Sequence, residues 1–158
     1  MSQNILPNAV VPDANILIAL SSKEQSTFQT AEKAFDSYVR NGWEFFAPNL
    51  IVAEVLYVLC GKLADGILTV REHEKAVELF TDLMSAVAPP ENGEASLIKR
   101  AEEIRQNYGC SRASDSLYIA LAEELTKTRS TELLTFDKGF VNQAAKNAPT
   151  VRINLLMI

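Results

Sequence analysis

The chain has 158 residues, 47% hydrophobic and 22% charged, the balance of a chain that buries a core rather than one that stays disordered. Its net charge of −5 argues against sequence-blind binding to a polyanion, which needs a broad basic surface. The longest apolar run, residues 50–60, is broken by Glu54 and falls short of the ~18 residues of a membrane span; MSQNILPNAV lacks the pattern of a secretory signal, and Cys60 and Cys110, without metal-ligand spacing, read as reduced thiols of a cytoplasmic protein.

Residues 9–11 are a short β-prone run, which Pro12 ends because proline cannot donate to a sheet ladder. Residues 16–20 read as a short helix. Residues 27–40 read as a longer one, with Phe28, Ala31, Ala34, Phe35 and Tyr38 at helical spacing and Gly42 just beyond. A second strand covers residues 43–46 and stops at Pro48; Asn49 is the expected cap of a helix over residues 50–62. After a turn carrying Gly66, Thr69 and Glu72 have capping-box spacing ahead of a helix to Met84. Residues 86–88 read as a short strand before Pro89 and Pro90, and residues 95–108 as a helix ending at Gly109. Ser111 or Ser114 is the expected cap of a helix to Thr126. A strand over residues 133–136, a helix over 138–146 and a strand over 151–153 complete the chain. Strands alternating with helices predict an α/β fold on a mostly parallel sheet. No repeat or linker interrupts the pattern, so residues 1–158 read as a single domain.

Four carboxylates stand almost alone in apolar stretches: Asp13 in VVPDANILIAL, Glu54 in LIVAEVLYVLC, Asp115 in RASDSLYIALA and Asp137 in ELLTFDKGF. A carboxylate near a buried face is costly unless compensated. Four in like settings suggest one shared compensator, and a divalent cation with oxygen ligands, Mg²⁺ or Mn²⁺, fits carboxylates. Asp13 and Asp137 each follow a strand, and ligands of open parallel sheets bind outside strand carboxyl ends. One bound divalent cation brings the net charge of −5 to −3, and two bring it to −1. Clustered acids would hold the cation, which polarises a phosphodiester and activates water. Each acid also has a local role open to it. Asp115 suits the first turn of its helix, Asp137 an N-cap and Asp13 an Asx-turn; Glu54, mid-helix, has no evident partner.

These four stretches, in this order, resemble the PIN domain family and more closely its VapC-like toxin ribonucleases; LYIALAEEL after Asp115 is the most specific match. The resemblance implies a three-layer α/β/α fold whose parallel sheet has the order 3-2-1-4-5, flanked by helices. It implies an endoribonuclease dependent on Mg²⁺ or Mn²⁺ that leaves a 5′-phosphate, with Asp13, Glu54, Asp115 and Asp137 as catalytic and metal-binding residues. Asn15, Ser116 and Thr135 would orient those ligands, and Arg112 and Lys138 are candidate RNA contacts. The resemblance also implies an RNA substrate (tRNA, rRNA or mRNA), a homodimer, and an antitoxin partner whose segment meets Tyr57 or Leu59. The resemblance leaves one other class open, a PIN-fold RNA- or protein-binding module without turnover. Other phosphate chemistries fit poorly. The sequence has no Walker-type glycine loop, Asp13-Ala14-Asn15 lacks the second aspartate of an aspartyl-phosphate phosphatase, and His73 as the only histidine excludes a two-histidine ribonuclease.

Overall fold

The computed structural model describes residues 4–110 and 114–158. Its sheet holds five strands: β1 Ala9–Pro12, β2 Glu44–Phe46, β3 Val87–Ala88, β4 Thr131–Thr135 and β5 Arg152–Leu155. Seven α-helices lie among the described residues: α1 Ala14–Ser22, α2 Phe28–Arg40, α3 Leu50–Ala64, α4 Val70–Met84, α5 Ile98–Asn107, α6 Ser114–Thr126 and α7 Lys138–Asn147. All strand pairs are parallel, and the order is β3-β2-β1-β4-β5, the α/β/α arrangement implied by the resemblance.

The centre of this sheet is written in its burial. Every residue of β1 is buried, as a strand covered on both faces requires, which is why its sequence is continuously apolar rather than alternating. On one side β1 pairs with β2, Ala9 opposite Glu44; on the other it pairs with β4 from Ala9 opposite Thr131 to Pro12 opposite Leu134. The chain adds β2 and β3 outward in one direction and β4 and β5 in the other. The order therefore reverses between β1 and β4, the place where open parallel sheets form a crevice beyond the strand carboxyl ends. The helix α1 packs on α2, α3 and α4, whereas α5 packs on α6 and α7.

The local signal ahead of α4 behaves as its chemistry demands. Thr69 accepts from the Glu72 N–H at 3.1 Å while Glu72 accepts from the Thr69 N–H at 3.0 Å, a complete capping box. Several expectations need correction. Asn49 makes no side-chain cap: its backbone is already helical, and its N–H donates to Glu94 Oε2 at 3.2 Å. The helix expected over residues 95–108 opens as a 3-10 turn, Glu94–Leu97, before α5. The fourth strand runs two residues earlier than expected and ends at Thr135. Its polar start is tolerated because the buried Thr131 hydroxyl donates to the Arg129 carbonyl at 3.1 Å. The last strand is displaced towards the C-terminus because its register on β4 sets Arg152 opposite Glu132 and Leu155 opposite Thr135. Leu156 packs against the core, and Met157 and Ile158 remain exposed.

At the opposite end of the sheet from the crevice, Arg129 is buried with its guanidinium 5.1 Å from the Phe46 ring centroid. It donates to Glu44 Oε2 at 2.8 Å, to the Pro7 carbonyl at 3.4 Å and to Glu91, so one cation ties the strand starts to the loop after β3.

Candidate active site

Pro12 closes β1, yet the ladder continues one residue further, because the Asp13 N–H donates to the Leu134 carbonyl at 2.9 Å. That bond fixes Asp13 in extended backbone as the N-cap of α1, with its side chain only 8% exposed. Its Oδ1 accepts from the adjacent Ala14 N–H at 2.7 Å, not from the amide two residues on that an Asx-turn would use. Its Oδ2 accepts from Thr135 Oγ1 at 2.9 Å. Thr135, wholly buried at the end of β4, is a hub. Its Oγ1 also accepts from the Asp137 N–H at 3.0 Å and from Asn15 Nδ2 at 3.4 Å, and Asn15 Oδ1 accepts from the Phe136 N–H at 3.5 Å. Asn15 and Thr135, expected as orienting partners, thus hold Asp13 and the β4–α7 junction together.

Asp137 caps α7, its Oδ1 accepting from the Gly139 N–H at 2.7 Å, and it is exposed. Phe136 separates it from the strand, so it does not follow β4 directly as expected. A Cβ at Gly139 would lie 3.0 Å from that same Oδ1, so the carboxylate uses the room the glycine leaves. Lys138 beside it is exposed. Asp115 stands half-buried in the first turn of α6, where the helix dipole favours a carboxylate, and Ser116 next to it is buried. Arg112 and Ser111 lie outside the described residues.

Glu54 is half-buried on α3, and the partner the sequence did not reveal is Tyr118, whose hydroxyl donates to Glu54 Oε1 at 2.8 Å. Tyr118 is the residue sequence reasoning missed. The available signal was its place three residues after Asp115, which puts both on one face of α6. Leu59 is fully buried in the core, so it cannot receive a partner's segment, whereas Tyr57 is 82% exposed. His73, expected on the surface, is half-buried on α4.

Three of the four acids are electrostatically linked at Asp13 and Tyr118. Burial raises the Asp13 pKa from 3.8 to about 7; the Thr135 hydrogen bond opposes the rise, and the charges of Asp115 and then Glu54 add to it. Burial likewise holds the Tyr118 phenol far above its ordinary range, reinforced by Glu54, Asp13 and Asp115 in turn. Asp13 therefore feels the charges of Asp115 and Glu54, Tyr118 feels all three, and the Asp137 backbone is tied beside Asp13 through Thr135. Among the described residues, no three His, Cys, Asp or Glu side chains are gathered as a ready-made ligand set. The donor chemistry nonetheless suits a hard cation. It is all oxygen, and a carboxyl group with a pKa near 7 is ionised fully at neutral pH only when positive charge arrives.

The PIN domain family model matches residues 10–146, and the chain belongs to the PIN domain family. PIN domains are generally nucleases, and these nucleases generally depend on a divalent metal. Among solved structures, the chain is similar to one in the crystal structure of VapBC2 from Rickettsia felis bound to a DNA fragment from their promoter. The TM-score is 0.65 at 12% sequence identity, over 94% of this chain and 99% of that one. That likeness is one of fold. No curated protein matches the chain in sequence. Among the described residues no helix is long and apolar enough to cross a membrane, and both cysteines are free and exposed.

Proposed function

We propose that this chain, as a single PIN-like domain over residues 1–158, is a cytoplasmic endoribonuclease dependent on Mg²⁺ or Mn²⁺, acting as the toxin of a type II toxin–antitoxin pair. One observation carries the reading: a buried Asp13, its pKa raised to about 7 beside Asp115 and Glu54, at the carboxyl end of the central strand of a PIN domain. When bound, the cation supplies polarisation of the scissile phosphate and activation of water. Asp13, Glu54, Asp115 and Asp137 are the proposed catalytic and metal-holding residues. Asn15, Ser116 and Thr135 orient them, and Lys138 and Arg112 contact the RNA backbone.

The proposed partners are an RNA substrate (tRNA, rRNA or mRNA), a second copy of the chain and an antitoxin protein. The fold likeness to a chain of a VapBC2 complex supports the last of these. The test is cleavage of total tRNA and rRNA with and without Mn²⁺, by wild type and by Asp13→Asn. Metal-dependent cleavage that the substitution abolishes is expected. A second reading, a PIN-fold RNA- or protein-binding module without turnover, is favoured by the open spacing of the acids among the described residues. Normal Mn²⁺ uptake with no RNA cut would select it.

A further inference from the structure

We propose that Tyr118 is a positioning residue of this site, its phenol orienting the Glu54 carboxylate towards a divalent cation; the inference rests on the metal-dependent reading above. Tyr118 is fully buried on α6, one turn beyond Asp115, with its ring edge-on to Phe140 at a centroid distance of 6.2 Å. Packing on every side fixes the point from which its hydroxyl donates, 2.8 Å from Glu54 Oε1.

Glu54 needs such a point. It sits on α3, which packs chiefly on α1 and α4, and its carboxylate ends a side chain with three rotatable bonds. The phenol ties that carboxylate across to α6, on the side where Asp115 stands. One O–H holds one carboxylate oxygen, and a phenol donates without bringing the positive charge by which Lys or Arg would compete with a cation. A buried group that orients a ligand through a hydrogen bond while touching no metal is a recurrent element of metal sites.

Tyr118→Phe removes the hydroxyl and keeps the ring. In calorimetric titration of Mn²⁺ into the full chain, it should weaken binding by roughly 10–100-fold, with the melting transition retained. Because the hydroxyl acts through Glu54, adding Tyr118→Phe to Glu54→Gln should change Mn²⁺ affinity by less than about twofold. Wild-type affinity in Tyr118→Phe overturns the proposal. So does the full loss recurring in the Glu54→Gln background, which would mark a packing effect, and so does loss of the cooperative melt. If wild type takes up no Mn²⁺, or Asp13→Asn takes it up normally, the metal-dependent reading fails and the positioning role with it. Uptake abolished by Asp13→Asn but untouched by Tyr118→Phe sinks the positioning role alone.

Discussion

Thr135 Oγ1 donates to Asp13 Oδ2 at 2.9 Å across 122 residues of sequence, joining the carboxyl ends of the two strands between which the sheet order reverses. The same oxygen accepts from the Asp137 N–H, so one buried hydroxyl sets both the most buried acid and the start of α7. Because its hydrogen bond opposes the rise in the Asp13 pKa, its loss should be felt electrostatically as well as structurally.

Thr135→Val keeps the β-branched shape and removes the hydroxyl. It leaves Asp13 Oδ2 without that donor and the Asp137 N–H without its acceptor. Destabilisation of about 1–3 kcal/mol in urea melts is expected, the penalty for buried polar groups that lose a partner. The Asp13 pKa should move further up when followed by NMR of the carboxyl carbon. A pKa unchanged by the substitution would show that the bond does not stabilise the ionised form.

The pH dependence of the metal-free protein follows from Asp13. Its pKa is about 7 folded against the ordinary 3.8 of an exposed aspartate, so between these values the native state holds a proton that the unfolded chain has released. Its contribution is therefore greatest below about pH 4 and is lost as pH rises through about 7, with a size on the order of 4 kcal/mol. Thermal melts from about pH 4 to pH 8 should show this decline on top of other titrations, and Asp13→Asn should flatten it. The same slope in Asp13→Asn would assign it to other groups.

Asp137 combines a cap with a proposed chemical role, and substitution separates them. Asp137→Asn preserves a capping oxygen and should leave stability within about 0.5 kcal/mol while abolishing cleavage. Asp137→Ala should lose cleavage and about 1 kcal/mol of stability as well. Retained cleavage in both variants would confine Asp137 to capping.

Arg129 offers a test of the fold away from the crevice. Its side chain is 3% exposed, whereas those of Glu44 and Glu91 are 48% and 44% exposed. Removing the arginine therefore strands few buried charges but loses the bonds and the packing over Phe46. Arg129→Met should cost about 2 kcal/mol, and Arg129→Lys should not restore it, since an ammonium lacks the fork that reaches both acids. Glu44→Gln and Glu91→Gln should each cost less than about 1 kcal/mol. The reverse ranking in chemical denaturation would refute this account.

Sequence alone determined the order of elements, because hydrophobic periodicity, prolines and caps act over a few residues: β1 and Pro12, the Thr69–Glu72 box and the helix from Lys138 are all local matters. It also singled out Asp13, Glu54, Asp115 and Asp137, because an isolated charge in an apolar run is visible without a structure. Tertiary structure decided what local pattern does not encode. The register of β4 and β5 moved both strands, since a partner's carbonyls and amides, not propensity, choose which residues pair. Where Asn49 was expected to cap, the first amides of α3 go instead to backbone carbonyls, the Ile51 N–H to Pro48 and the Val52 N–H to Asn49, while Glu94, far away in sequence, accepts from the N–H of Asn49 itself. Only packing shows that Glu54 meets Tyr118, or that Thr135 joins Asp13 to Asp137, because each bond spans helices or strands brought together by burial of the core. The acids were legible one at a time; the burial that raises the pKa of Asp13, and the charges of Asp115 and Glu54 that add to it, exist only once the fold is formed.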